Sequence, residues 1–164
     1  MFHIIGSGAC GFLRLHHILK DDVAIKFKCG RIKYQNSFES WNDDGFNNRN
    51  KEICTDLLNF PHIRLWKNKF SIFNNKEDFL EGFDDQTKKL KEEGWDHTVT
   101  LDIKVVQSDE TKVHLLLHQS RRNSENIEYH NFHTLWIMTK VDGKWGIQFR
   151  SSFLDKASQT KNII

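Results

Sequence analysis

The first half of the chain has apolar residues at helical spacing. Residues 31–41 fit a short helix that ends at the Asn-Asp-Asp-Gly sequence of 42–45, and a second helix is predicted over about 49–58. Residues 76–93 place their apolar side chains on one side of a helix that ends at Gly94, the pattern of an amphipathic helix with a glycine C-cap. Those apolar side chains are Phe79, Leu80, Phe83 and Leu90.

The second half of the chain alternates apolar and polar residues, which is typical of strands that bury one face. Three long alternating segments cover 95–106, 111–122 and 129–141. A fourth segment, 144–153, follows a hairpin turn at Asp142-Gly143. These segments predict an antiparallel meander.

A shorter strand is predicted over 62–66, before a hairpin that ends at Phe73. It begins after Phe60-Pro61, because proline disfavours helical geometry in the residue before it. Helices first and a long meander last predict an α+β fold. In this fold the helices pack on the concave face of a curved antiparallel sheet.

Residues 1–30 carry a separate pattern of strand, glycine turn, helix and second strand. Gly6, Gly8 and Gly11 match the G-x-G-x-x-G motif, in which backbone amides at a helix N-terminus bind a pyrophosphate. The acidic residue expected after the second strand is replaced by the basic stretch 26–28, and no further βα units follow. A strand-turn-helix appendage is therefore favoured, and dinucleotide binding through these glycines remains an alternative.

Composition fits one domain. The chain has 164 residues, of which 38% are hydrophobic and 28% charged, so it can bury a core and is not disordered. With 24 Lys and Arg against 22 Asp and Glu, the formal net charge of +2 does not indicate a nucleic-acid partner. No apolar run approaches the roughly 18 residues of a membrane span, so no membrane partner is expected either.

The three cysteines, Cys10, Cys29 and Cys54, are odd in number and widely spaced, which favours a reducing compartment. The N-terminus lacks the basic start of a secretion signal. A soluble, cytoplasmic protein is expected. The segment 154–164 is expected to be a flexible tail.

Four segments carry a family resemblance: Ser-Trp-Asn-Asp at 40–43, Phe-Pro-His-Ile-Arg at 60–64, Gly-Trp-Asp-His at 94–97, and Leu135 to Phe153. Over roughly 31–153 the chain resembles SnoaL-like proteins of the nuclear transport factor 2 superfamily. The resemblance implies a cone-shaped α+β barrel around an apolar pocket, and usually a homodimer. The superfamily includes isomerases, cyclases, dehydratases and binding domains without enzymatic activity, so the fold alone selects no reaction.

Strand alternation predicts which side chains line that pocket. The odd positions of 95–105 form an apolar stripe that contains His97, and a two- or four-residue turn at 108–110 would continue this face onto the next strands. A single bulge would exchange the faces. The predicted core face holds His114, Leu116, His118, Ser120, His130, Phe132, Thr134, Trp136, Met138, Trp145, Ile147, Phe149 and Phe153.

The opposite, outer face of the sheet is mixed apolar and polar, which suits a homodimer interface. Its predicted members are Val113, Leu115, Leu117, Asn131, His133, Leu135, Ile137, Gln148 and Arg150.

The leading interpretation is a protein whose pocket binds a hydrophobic, oxygenated small molecule. If it is an enzyme, its reaction would be a proton-transfer isomerisation, a cyclisation or a dehydration. His97 would be the acid or base, with His62 or His118 as partner, and Arg64 would orient an oxyanion. The further predicted ligand contacts are Trp95, Ser120, His130, Phe132 and Trp136.

Structural roles remain open for the same residues. His97 also fits a core histidine with a satisfied hydrogen bond, and 62–66 also fits an exposed edge strand. No cofactor or metal is expected, because His114 and His118 would lie about 13 Å apart on a strand and His130 and His133 point to opposite faces. The main alternative function is a non-catalytic homodimeric binding or assembly module.

Overall fold

A computed structural model describes residues 31–154 of the chain. The predicted appendage of residues 1–30, with Gly6, Gly8 and Gly11, and the predicted tail from 155 onward lie outside the described residues. Within residues 31–154 the chain forms one helical layer and one six-stranded sheet.

Four α-helices and one π-helical segment form the helical layer. Helix α1 (Arg31–Ser40) runs directly into the π-helical segment (Trp41–Asn47), so the predicted helix end at 42–45 is wrong. Helix α2 (Lys51–Asp56) begins after Asn50, whose side chain accepts a hydrogen bond from the Ile53 amide.

The predicted long helix of 76–93 is present as two pieces. Helix α3 (Lys76–Glu81) starts after Asn75, which caps the Asp78 amide, and it ends at Gly82. Helix α4 (Phe83–Glu92) follows at once and is closed by Gly94, whose φ of 81° is one that glycine adopts readily.

Six strands form a single curved sheet. They are β1 (Leu58–Trp66), β2 (Lys69–Phe73), β3 (His97–Ser108), β4 (Lys112–Arg122), β5 (Glu128–Val141) and β6 (Lys144–Ser152). The spatial order is β2-β1-β6-β5-β4-β3, and only β1 and β6 run parallel. The predicted α+β class and the antiparallel meander are confirmed.

The helical layer packs on the inner face of the sheet through aromatic rings. Trp41 meets Trp136 edge-on at a centroid distance of 5.1 Å, and Phe38 meets the same ring at 5.2 Å. Phe46 and Trp95 meet at 5.5 Å. Such pairs add to the burial of large apolar side chains, so the aromatic layer fixes the helices against the sheet.

A bulge in β3 inverts the predicted faces of β4. The turn is the expected four-residue one, since Ser108 pairs with Val113, but the register shifts between Val105 and Gln107. An extra residue moves every later side chain to the other face. Val113, Leu115 and Leu117, predicted for the outer face, are therefore buried in the core, and His114, Leu116 and His118 point outward.

A bulge in β6 makes the predicted faces of its C-terminal half wrong. Trp145 and Ile147 are buried on the inner face as expected, but the register then shifts between Ile147 and Phe149. Phe149 consequently faces outward and Arg150 inward, the reverse of the prediction. Phe153, predicted for the core, is 78% exposed. On β5 the buried residues Phe132, Thr134, Trp136 and Met138 lie on the face that was predicted.

Gly146 should tolerate no side chain, because β6 approaches β1 closely there. A Cβ atom on Gly146 would lie 2.5 Å from Oδ1 of Asn59 and 3.1 Å from its backbone nitrogen. The Asn59 amide cannot swing away freely, since it donates to the carbonyl and the hydroxyl of Thr139, each at 2.9 Å. We expect Gly146→Ala to lower the free energy of unfolding in urea by about 1–3 kcal/mol.

The double variant Asn59→Ala/Gly146→Ala is the control for this contact. With the Asn59 amide removed, Gly146→Ala should lower the free energy of unfolding by clearly less than it does in the wild-type background. Equal losses in the two backgrounds would show that the side chain of Asn59 is not the obstacle.

Candidate functional site

A cavity of about 70 Å³ lies between the helical layer and the inner face of the sheet, and it opens to solvent. Its lining combines aromatic rings with arginine, amide and hydroxyl groups. The lining residues are Trp41, Asn42, Phe46, Arg64, Leu65, Trp66, Gln86, Thr98, Gln119, Arg121, Phe132, Trp136, Arg150, Ser152 and Leu154.

The π-helical segment supplies one wall of the cavity. Its i→i+5 hydrogen bonding brings residues five apart onto the same side, whereas an α-helix would separate them. Trp41 and Phe46 therefore stack, with centroids 5.2 Å apart and ring planes 20° apart. Helical periodicity at the α-helical period does not predict this wall, because it places Trp41 and Phe46 on different sides of a helix.

Arg150 enters the cavity because of the bulge in β6. Its Cζ atom lies 4.5 Å from the Trp41 ring centroid and 5.2 Å from that of Trp136, so the guanidinium contacts both walls. Burial lowers the pKa of Arg150 to about 10, and the group remains charged at neutral pH.

Arg64 is the neighbour of Arg150 across the parallel β1–β6 pair, where the two residues are in register. Its Nε lies 3.4 Å from Nε2 of His62 and donates to it, and its Cζ lies within 5.2 Å of the centroids of Phe73 and Phe79. Burial and the nearby Arg150 hold the pKa of Arg64 well below its usual range. The inner face of β1 thus presents a second guanidinium.

His62 lies behind Arg64 and is fully buried. Because a carbonyl oxygen only accepts, Nδ1 of His62 carries the proton and donates to the carbonyl of Ile147 at 3.1 Å. Burial lowers the pKa of His62 well below its usual 6.5, and the charges of Arg150 and Arg64 lower it further. His62 is therefore neutral, and its free nitrogen lone pair orients Arg64.

The other end of the cavity is formed by β3, β4 and α4. Arg121 contacts Glu93 through Nη1 at 2.9 Å, so its charge is balanced inside the protein. Nε2 of Gln119 donates to Oδ1 of Asn42 at 3.4 Å, and Nδ2 of Asn42 donates to the carbonyl of Thr98 at 3.2 Å. This end presents neutral hydrogen-bonding groups beside a paired arginine.

Three predicted site residues lie outside the cavity. His97 starts β3 on the outer face, partly exposed, with Nδ1 2.9 Å from the Asp96 carboxylate. His118 is also on the outer face, where its ring stacks on that of His133 at 4.4 Å. Ser120 is buried on that side beneath Glu128, to which its hydroxyl donates at 2.5 Å. The bulged β3–β4 register is the cause of all three placements.

The other predicted site residues lie at or near the cavity. Arg64, Phe132 and Trp136 line it, and His62 supports Arg64 from behind. Trp95 is buried beneath the lining and donates from Nε1 to the Thr98 hydroxyl at 3.0 Å. His130 is on the inner face of β5, with its ring 5.7 Å from that of Phe132.

No cluster of three or more His, Cys, Asp or Glu side chains that could hold a metal ion is found within residues 31–154. Over the same part of the chain, the helices are too short or too polar to span a bilayer.

Comparisons with known proteins agree on the fold. A family model described as NTF2-like protein (DUF6841) matches residues 33–149. No curated protein sequence matches the chain. An NTF2-like protein with a cystatin-like fold from Novosphingobium aromaticivorans has a similar structure, with a TM-score of 0.61 and 13% sequence identity over 79% of this chain and 84% of that one.

Two further solved structures have a TM-score of 0.58 and are 12% identical in sequence. One is a protein of unknown function from Mycobacterium tuberculosis, similar over 76% of this chain and 71% of its own. The other is a proposed ketosteroid isomerase from Shewanella frigidimarina, similar over 73% of this chain and 94% of its own. At this level of identity the similarity concerns the fold.

His62 should make the protein less stable in acid. In the unfolded chain its pKa returns to about 6.5, so below that pH the unfolded state binds a proton that the native state does not. The free energy of unfolding therefore falls as the pH falls through this range, by up to about 1.4 kcal/mol per pH unit from this residue. The measurement is urea unfolding of wild type and His62→Asn at pH 7.5, 6.5 and 5.5.

The asparagine variant keeps a donor for the Ile147 carbonyl but has no group that titrates. It should be less stable than wild type at pH 7.5 and should lose about 1 kcal/mol less between pH 6.5 and 5.5. Carboxylates titrate in both proteins and cancel in the difference. Parallel pH dependences would rule out a neutral, buried His62.

Proposed function

The chain belongs to the NTF2-like family DUF6841, and on that premise we propose that its cavity binds a small organic molecule that joins an apolar body to an oxygen-bearing group. The observation that carries the proposal is the lining itself. Aromatic rings from the π-helical segment, β5 and β1 surround a few convergent polar groups, which is the usual make-up of a ligand site. Trp41, Phe46, Phe132 and Trp136 offer the apolar contact.

Hydrogen-bond donors are placed around these rings. Arg64 and Arg150 lie at one end of the cavity and the Gln119 amide at the other. Since arginine only donates, an oxygen atom of the ligand is the natural partner at the first end. This arrangement supports a ligand with a polar oxygen near β6 and an apolar body against the rings.

Binding is the function that this lining supports best. An isomerase, cyclase or dehydratase that works by proton transfer needs a base within hydrogen-bonding distance of its substrate. The residue predicted for that role, His97, lies on the outer face, and both ring nitrogens of His62 are engaged. The proposal therefore rests on the binding groups and assigns no reaction.

A neutral aromatic amide tests the cavity. Benzamide should bind the wild-type protein with a millimolar or tighter Kd in isothermal titration calorimetry, since it joins a flat ring to a carbonyl oxygen. Leu154→Trp adds bulk at a residue that lines the cavity and should weaken binding by about tenfold or more.

Phe153→Trp is the matched control, because Phe153 is the adjacent residue and is 78% exposed. This variant should bind benzamide as wild type does. If Leu154→Trp also binds as wild type does, the amide does not occupy the cavity. If wild type binds neither neutral nor acidic small molecules, the proposed function fails.

We also propose that the protein forms a homodimer through the outer face of the sheet. Paired residues form an unbroken apolar row across four strands of this face: Ile72 with Ile63, Ile63 with Phe149, and Phe149 with Ile137. Leu135 and Leu116 extend the row onto β4. An apolar row on an uncovered face of a sheet is what a second copy would cover.

If the outer face is a dimer interface, charged substitutions at two equally exposed residues should have different effects on the oligomeric state. Leu116 on the outer face and Ile103 on the inner side of the edge strand β3 are each 37% exposed. Leu116→Glu should convert a dimer to a monomer in light scattering coupled to gel filtration, because the charge would be buried in the interface. Ile103→Glu should remain a dimer. A monomeric wild type at tens of micromolar would contradict the proposal.

A further inference from the structure

Arg150 and Arg121 both line the cavity, and they differ in how their charge is balanced. Nη1 of Arg121 lies 2.9 Å from a carboxylate oxygen of Glu93. Arg150 contacts two tryptophan rings but forms no ion pair with any carboxylate of the described residues. Its positive charge is thus placed at the cavity without a counter-charge.

The Nε atom of Arg150 is buried and has no hydrogen-bond partner within the described part of the chain. A buried donor without a partner costs free energy, and for a charged group the cost is larger. Ring faces reduce this cost through the cation–π interaction but accept no conventional hydrogen bond. An acceptor that enters the cavity would complete the arrangement.

Arg64 adds a second positive charge at the same place. It is in register with Arg150 on the adjacent strand, and it also lines the cavity. His62 holds the Nε edge of Arg64. Two guanidinium groups on neighbouring strands favour a negatively charged partner over a neutral one.

The surroundings indicate what kind of anion fits. A carboxylate is planar and pairs with the flat fork of a guanidinium through two parallel hydrogen bonds. Trp41 and Trp136 beside Arg150, with Phe46 and Phe132 further along the lining, offer apolar contact that an inorganic anion would leave unused. A planar anionic group attached to an apolar body matches both parts of the cavity.

We propose that the ligand of the cavity is a small organic acid whose carboxylate pairs with the guanidinium groups of Arg150 and Arg64. This inference rests on the proposed binding function and adds the charge and chemical class of the ligand. The apolar part of the acid lies against Trp41 and Trp136.

The test compares acids with their neutral amides at a pH near 7.5, where the acids are ionised. The probes are benzoate with benzamide, butyrate with butyramide, and inorganic phosphate, all measured by calorimetry on the full chain. Each acid should bind wild type about tenfold or more tighter than its amide, because a charge-assisted pair replaces a neutral hydrogen bond. Phosphate should bind more weakly than benzoate.

Arg150→Met removes the charge and retains a long apolar stem between the rings. It should remove the preference for acids, so that the variant binds benzoate no more tightly than benzamide. Arg150→Lys keeps the charge without the planar fork and should lose part of the preference for acids. Arg122→Met is the matched control on the outer face, where Arg122 contacts Ser120 and Asn126, and it should change neither affinity.

The possible results separate the two proposals. Equal affinities of wild type for benzoate and benzamide would overturn the assignment of an organic acid and leave the small-molecule cavity standing. Phosphate binding as tight as benzoate binding would replace the organic acid with a plain anion site. Failure of every probe to bind would reject the binding function itself. Since the comparison of acids with amides needs only wild type, a variant that does not fold cannot leave the question open.

Discussion

The contact of the Arg150 guanidinium with Trp41 and Trp136 joins the parts of the protein on which the cavity depends. Trp41 belongs to the π-helical segment, Trp136 to β5 and Arg150 to β6, and the two rings also meet each other edge-on at 5.1 Å. Because a guanidinium is planar and weakly hydrated, aromatic faces can hold it at the boundary between helices and sheet. The same three side chains line the cavity, so the packing of the fold and the shape of the site have a common origin.

Two local departures from regular geometry create this contact. The bulge in β6 turns Arg150 inward and Phe149 outward, and the π-helical segment brings Phe46 onto the same side as Trp41. The bulge exchanges the faces of β6 from Phe149 onward, while β6 stays paired with β5 on either side of it. The site is therefore built from a regular sheet by small changes of register.

This origin explains which features the sequence could predict. Alternation and helical spacing report the period of an element, so the α+β class, the meander and the inner face of β5 could be predicted. Alternation does not report an inserted residue, because the pattern looks the same on both sides of a bulge. The inner face of β4 and the position of Arg150 were missed for this reason, and His118 was wrongly expected inside. On β1, where the pairing from His62 to Trp66 has no shift in register, the shared face of His62 and Arg64 could be recognised.

The balance of charge links binding to stability. Glu93 neutralises Arg121 inside the protein, and His62 stays neutral, so neither adds an uncompensated charge. Arg150 keeps its charge, and in the folded chain its partners are the two tryptophan rings. A ligand that binds only the native state stabilises it in proportion to its occupancy, and an anion would in addition remove the cost of the unsatisfied Nε of Arg150. The rings that make the buried arginine tolerable are the same surfaces against which the proposed acid would lie, so the groups that hold the fold together there would also select the ligand.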